Sequence, residues 1–193
     1  MKKIFLIICF LYSILSFSQI PGTNNIWYAK EYSKDIALFN SKDFLFKNVL
    51  GISNDIVKFE MIPLAAASSG ELTTLLYHCE ELNKEGLILG FYGNYWNDSG
   101  VVYQGFGFKN LEKSNAMEFL SKIQNAIDNN SKYLKEDKDN NNIYFQYDDI
   151  SVLIYASPDG YTIRVFWQSF DSTWEKTAFE RSKRRFEKKL DKN

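Results

Sequence analysis

From Ile56 onward, apolar and polar positions alternate in runs bounded by Gly, Asn, Asp and Pro. A period of two marks a strand, because successive side chains point to opposite faces. IVKFEMIPLAAA is the first such run, and Pro63, which has no amide proton to donate, confines it to a sheet edge or a bulge. ELTTLLYHCE, LILGFYGNYW and VVYQGFGFK follow, with NKEG and NDSG as the turns between them. The period then changes. Ala116, Phe119, Leu120, Ile123, Ala126 and Ile127 recur at steps of three and four, which predicts a helix ending near Asn129 or running on to Glu136. Past the loop DKDNNN come IYFQY, SVLIYAS and YTIRVFWQSF, with Ser157-Pro158-Asp159-Gly160 as a hairpin turn between the last two. A closing helix is predicted with Phe179, Ser182, Phe186 and Leu190 on its buried side. Ser172 and Glu175 have the spacing of a capping box at its start. Residues 31–55 fit either short strands or a strand followed by a helical turn.

Strand, strand, strand, helix is thus read over residues 71–130 and again over 142–190, a pseudo-repeat with halves at 55–130 and 142–190. Hairpins rather than long crossovers join the strands, so the sheet is expected to be antiparallel. The expected class is α+β: one antiparallel sheet of about six or more strands, with two helices packed on one face. This order of elements resembles two-layer α+β folds such as the TATA-binding-protein-like group. In the last three strands Ile143, Phe145, Tyr147, Val152, Ile154, Ile163, Val165 and Trp167 form the set expected to face the helices. The opposite set still holds Tyr144, Leu153, Tyr155, Phe166 and Phe170, more apolar than a free sheet face requires. Residues 19–60 are expected to cover it. Left uncovered, it would be an interaction surface.

The first residues change the picture of where the chain works. Lys2 and Lys3 precede an apolar run from Ile4 to Leu15, and Ser16 and Ser18 stand at the small positions that a signal peptidase reads. Residues 1–18 are expected to be a signal peptide and 19–193 a single α+β domain. The apolar run is short of the ~20 residues a membrane span needs. The ending SFSQ resembles leaders of exported proteins of the Bacteroidota, a likeness of the targeting segment alone. Export to the periplasm or to the outside is therefore expected, with Cys79 as the sole cysteine left after cleavage and no internal disulfide. Removing Lys2 and Lys3 from 23 basic residues leaves 21 against 24 acidic ones, so the body is mildly acidic and nucleic acid is not the expected partner.

The chemistry is sparse. His78 is the only histidine and sits beside Cys79, but neighbours on a strand point apart, so the pair cannot act as nucleophile and base. No catalytic residue is assigned. Zinc would need more His and Cys than the chain holds. Asp137, Asp139, Asn141 and Asp148 stand at positions one, three, five and twelve of an EF-hand-like loop, which makes calcium the candidate cofactor. Against it, Asn142 stands where such loops need glycine, and a strand follows. Gly105 and Gly107 share one face of their strand, where a helix is expected to approach closely. Arg181, Arg184, Arg185 and Lys188 gather on the final helix, a solvated face or a patch for an acidic partner or an anionic membrane surface. The leading expectation is a non-enzymatic binding or interaction module of the bacterial cell envelope, using Tyr144, Tyr155 and Phe166 or that basic helix toward an envelope protein or small ligand. The alternatives are a hydrolase built on Glu80, Glu81, Asp148 and Asp149, and a calcium-dependent envelope protein.

Overall fold

In the computed structural model, the described residues are 26–28, 34–51, 54–96, 102–138 and 140–190. The expected signal peptide, Asp139 and the turn at Gly100 lie outside them. The class is α+β and antiparallel, but the strands form two sheets instead of one. The first sheet joins β1 (Ile26–Tyr28), β2 (Glu60–Ala66), β3 (Leu72–Cys79), β4 (Lys84–Trp96) and β5 (Val102–Glu112) in the order β1-β5-β4-β3-β2. The second is a meander of β6 (Asn142–Tyr147), β7 (Ile150–Ser157), β8 (Gly160–Trp167) and β9 (Phe170–Glu175). The helices are α1 (Lys34–Phe44), which runs into a π-helical turn at Leu45–Leu50, α2 (Lys113–Asn129), α3 (Ser131–Glu136) and α4 (Lys176–Leu190).

The split has a physical cause. After β5 the next strand could extend the first sheet only at a free edge, and β1 occupies that edge, with Trp27 opposite Phe106. The other edge belongs to β2, where the register slips between Pro63 and Ala65, the bulge and edge position that proline demands. The Arg185 guanidinium of α4 then donates to the Leu64 carbonyl at the bulge. The β2–β3 turn closes the outer edge of the second sheet. The amide of Thr173 donates to the Glu71 carboxylate (2.9 Å), and the amide of Ser68 donates to the Glu175 carboxylate (3.2 Å).

One core fills the space between the sheets. Leu76, Leu87, Leu89, Phe91 and Leu111 face it from the first sheet, and Val152, Ile154, Ile163, Val165, Trp167 and Trp174 from the second. The α2 stripe of Ala116, Phe119, Leu120, Ile123 and Ile127 enters as its period predicts, and so do Phe179, Ser182 and Phe186 of α4. Here the Ser182 and Thr74 hydroxyls pair at 2.7 Å, and Ser182 also donates to the Ala178 carbonyl, so neither buried hydroxyl is left unmet. A second core lies on the other face of the first sheet. Phe44, Leu45 and Leu50 of α1 and its π-helical turn cover Leu75, Tyr77, Cys79, Ile88, Tyr92, Phe106 and Phe108. With both faces buried, β3 and β4 read as near-continuous apolar runs rather than a clean alternation.

Four expectations are corrected by this packing. The final strand run ends at Trp167: Gln168 adopts φ 52°, a two-residue turn follows, and Phe170 pairs across from Trp167. That turn reverses the parity, so Phe170 points into the core and is 2% exposed. The capping box does not form either. Ser172 and Glu175 belong to β9, and α4 starts one residue later. The β3–β4 turn occupies residues 80–83, with Asn83 at φ 48°, so Gly86 of the expected turn lies within β4. Finally, the segment at 34–51 covers the first sheet, and among the described residues nothing covers the outer face of the second. Where three strands and a helix were expected twice, β2–β5 and β6–β9 are each a four-strand meander followed by a helix.

Phe166 and Phe170 separate these two parities. Phe170→Ala should lower stability by about 3–5 kcal/mol, the cost of emptying a buried aromatic site, whereas Phe166→Ala should change it by about 1 kcal/mol or less. Urea unfolding of both variants measures the difference, and equal losses would contradict the observed register.

Candidate ligand-binding cleft

A cleft of about 920 Å³ lies where the β3–β4 hairpin ends and α2 begins. Asn48 and Val49 come from the π-helical turn, Leu82 and Asn83 from the hairpin turn, and Lys113, Ser114 and Met117 from the first turns of α2. The strands supply Tyr77, Lys84, Glu85, Asn110 and Glu112. Strand parity brings Tyr77, Asn110 and Glu112 to one face of the sheet end and Glu85 to the other, beside His78. Phe106, Phe108, Asn110 and Glu112 share one face of β5, so that face passes from core to polar as the strand leaves the protein interior. Gly86 pairs with Tyr77, and the Tyr77 ring lies over it. A Cβ at this glycine would stand 2.6 Å from the Tyr77 hydroxyl and would also strike the Leu111 carbonyl, so only glycine leaves room for the ring.

The charges are partly spent. The Lys84 ammonium donates to the Val49 carbonyl, and the Lys113 ammonium pairs with Glu85 Oε1. Glu112 has no ion-pair partner among the described residues. Behind Glu85 sits His78, its cross-strand neighbour, with Nδ1 3.6 Å from Oε2, too far for a hydrogen bond. Three buried polar atoms here lack a hydrogen-bond partner: His78 Nδ1, Glu85 Oε2 and Asn110 Oδ1. Asn110 hydrogen-bonds the Tyr77 hydroxyl. Burial pushes the Tyr77 phenol up to about 12, against the lowering effect of that hydrogen bond, and the Glu112 and Glu85 charges add to the rise.

The residues singled out from sequence fall in separate places. Tyr144, Tyr155 and Phe166 do share the outer face of the second sheet, with Tyr144 64% exposed. Arg164 and Asp171 form a bidentate pair on that same face. Arg181, Arg184 and Lys188 are exposed on α4, but α4 packs against the inner face of this sheet, so the aromatic and basic groups are not brought together. Arg185 is committed to the Leu64 carbonyl. Cys79 is buried beneath α1 and His78 faces the other way, as strand alternation requires. Gly107 pairs with Phe91, whose ring meets Trp167 at 5.1 Å.

The calcium set is not gathered either. Asp137 accepts from the Asn140 amide (2.9 Å), and the Asn141 amide group donates to the Tyr133 carbonyl. Asp148 lies beyond the whole length of β6, about 20 Å of extended chain, where Lys109 holds both it and Asp149 at 2.7 and 2.6 Å. The lysine keeps the Asp148 carboxyl below its ordinary range. Asp149 also accepts from the Trp167 indole (2.9 Å), so these two carboxylates tie the β6–β7 turn to the first sheet. Among the described residues no group of three or more His, Cys, Asp or Glu is placed to hold a metal. Glu80 and Glu81 lie in the hairpin turn, and Glu81 accepts from the Lys58 amide. The cleft carboxylates are instead Glu85 and Glu112, which sequence reading passed over.

No family model matches the chain, and no curated protein or solved structure matches it. None of the described helices is long and apolar enough to cross a membrane.

The Tyr77 phenol gives the cleft a pH signature. In the unfolded chain it titrates near ~10. Between pH 10 and 12 the unfolded chain therefore loses its proton first, and stability falls by up to ~1.4 kcal/mol per pH unit from this group. Below pH 10 its contribution is intact. Tyr77→Phe should flatten that alkaline loss in thermal unfolding between pH 9 and 12. Tyr161, also raised by burial, titrates in both proteins and cancels in the comparison.

Proposed function

We propose that this chain is an exported, non-enzymatic binding module of the cell envelope whose ligand site is the cleft between the β3–β4 hairpin and α2. The observation that carries this reading is the pair of buried oxygens, Glu85 Oε2 and Asn110 Oδ1, that no donor meets. Such an acceptor costs about 1–3 kcal/mol when left unpaired, and native proteins keep few of them outside functional sites. Both side chains line the cleft, Asn110 from the face that carries Tyr77 and Glu85 from the face that carries His78. The volume suits a small organic molecule, since ligand pockets span roughly 300–1,000 Å³. Export rests on the basic, apolar and small-residue order of the first eighteen residues.

A carboxylate hydrolase is the second reading, favoured by one observation: Glu85 and Glu112 line the same cleft. An acid–base pair needs one carboxyl that carries a proton to the leaving group. Glu85 instead commits one oxygen to the Lys113 ammonium, an arrangement suited to holding an anion in place.

Native mass spectrometry of the chain, produced with its leader and purified gently from the envelope, tests the binding reading. It should show added mass of a small molecule on the wild type and none on Asn110→Ala. A bare monomer, together with turnover of glycan or peptide substrates lost in both Glu85→Gln and Glu112→Gln, would replace the binding module by the hydrolase.

A further inference from the structure

We infer that the edge of β6 pairs with the same edge of a second copy of this chain, joining two four-stranded meanders into one antiparallel sheet. This stands apart from the cleft. Four strands end the two sheets: β1, β2, β6 and β9. Natural proteins blunt such edges with short strands, bulges, proline or charge. The β1 strand has three residues, and β2 carries Pro63 and its bulge. The β9 strand carries Asp171 and Glu175, and its Thr173 amide is taken by Glu71. In contrast, β6 has six residues in unbroken register with β7 and contains no charge, proline or glycine.

The hairpin fixes which groups point outward. Asp148 and Asp149 form a two-residue turn closed by the pair Tyr147 and Ile150. Such a closing pair exchanges both of its hydrogen bonds, and bonded pairs then alternate along the ladder. Phe145 and Ile143 therefore bond to β7, while the amides and carbonyls of Asn142, Tyr144 and Gln146 point away from it. The Lys122 ammonium reaches the Gln146 carbonyl from α2 (3.2 Å), in keeping with that direction, and leaves that oxygen a second lone pair. A partner strand must match this edge in kind. Residues 142–146 run amide, apolar, tyrosine, apolar, amide, the same order in either direction. Two copies related by a two-fold axis at Tyr144 set Tyr144 against Tyr144 of the second copy, Asn142 against Gln146 and Ile143 against Phe145. Only this register engages all three outward residues, and it opposes no like charges. Tyr144, 64% exposed in the single chain, gains an aromatic partner across the axis. The outer faces, each with Tyr144, Tyr155 and Phe166, become continuous. The joint is small, so the dimer is weak and forms only as concentration rises.

The test is sedimentation equilibrium of the chain of residues 19–193 from micromolar to millimolar concentration, with amide hydrogen exchange followed by NMR over the same range. The wild type should pass from monomer to dimer, and exchange at Asn142, Tyr144 and Gln146 should slow as it does so. Tyr144→Lys and Tyr144→Glu, each alone, should weaken the dimer about tenfold, since each sets like charges directly opposite. An equimolar mixture of the two should restore it, a gain that a damaged fold would not produce. A monomer throughout the range would overturn the inference, and protection of the three amides by added envelope protein alone would assign the edge to a foreign strand instead. A dimer that Tyr144→Lys leaves intact, or one that forms with the three amides unprotected, would place the contact elsewhere and overturn it too.

Discussion

Phe91 holds the two sheets together, and the rest of the molecule is arranged around that contact. Its ring meets Trp167 at 5.1 Å and Phe170 at 6.0 Å, and those two rings stack on each other at 6.4 Å with 11° between their planes. One ring comes from the first sheet and two from the second. Offset ring pairs of this kind add ~0.5–1.5 kcal/mol each beyond the area they bury. Gly107, opposite Phe91, leaves space on its own strand beside the ring. Because this stack fixes β8 and β9 against β4, the β6–β7 turn arrives beside Lys109, and the β2–β3 turn arrives beside β9.

That arrangement decides which surfaces are used up. The first sheet is buried on both faces and so has no face left to offer. The second sheet buries only its inner face, and its outer one carries Tyr144, Tyr155 and Phe166 among polar neighbours. The α4 helix spends Arg185 and Ser182 on holding β2 and β3, leaving a solvated stripe of Arg181, Arg184 and Lys188 whose charge is offset by Glu180 and Glu187 nearby. The end of the first sheet differs from all of these. There the strands outrun both cores, and their last side chains are polar but not fully paired.

Much of the fold was legible because period is a direct consequence of burial. The α2 stripe, the inner face of the second sheet and the Pro63 bulge all follow from one-dimensional spacing. Two things were not. The division into two sheets depends on β1, three residues with no pattern of their own, taking the β5 edge. The parity of Phe170 depends on Gln168 adopting a positive φ, which nothing in QSF announces. The cleft was hidden for a related reason. Asn110 and Glu112 read as ordinary polar ends of a strand, and only the pairing of β3, β4 and β5 sets them on one face with Tyr77, while Glu85 lies on the other face beside His78. One signal was present: Phe106, Phe108, Asn110 and Glu112 lie on one face and change from apolar to polar midway, where a simple core face would stay apolar. The histidine and cysteine that attract the eye are placed by the same alternation on opposite faces.

The cleft and the aromatic outer face are rivals for the same role, and one measurement separates them. An isotope-labelled chain of residues 19–193 is titrated with a fractionated small-molecule extract of the envelope while side-chain amide, methyl and aromatic NMR signals are followed. The cleft account predicts saturable shifts at Asn110, Met117 and Tyr77 with Tyr144, Tyr155 and Phe166 unmoved. Shifts confined to Tyr144, Tyr155 and Phe166 would contradict it.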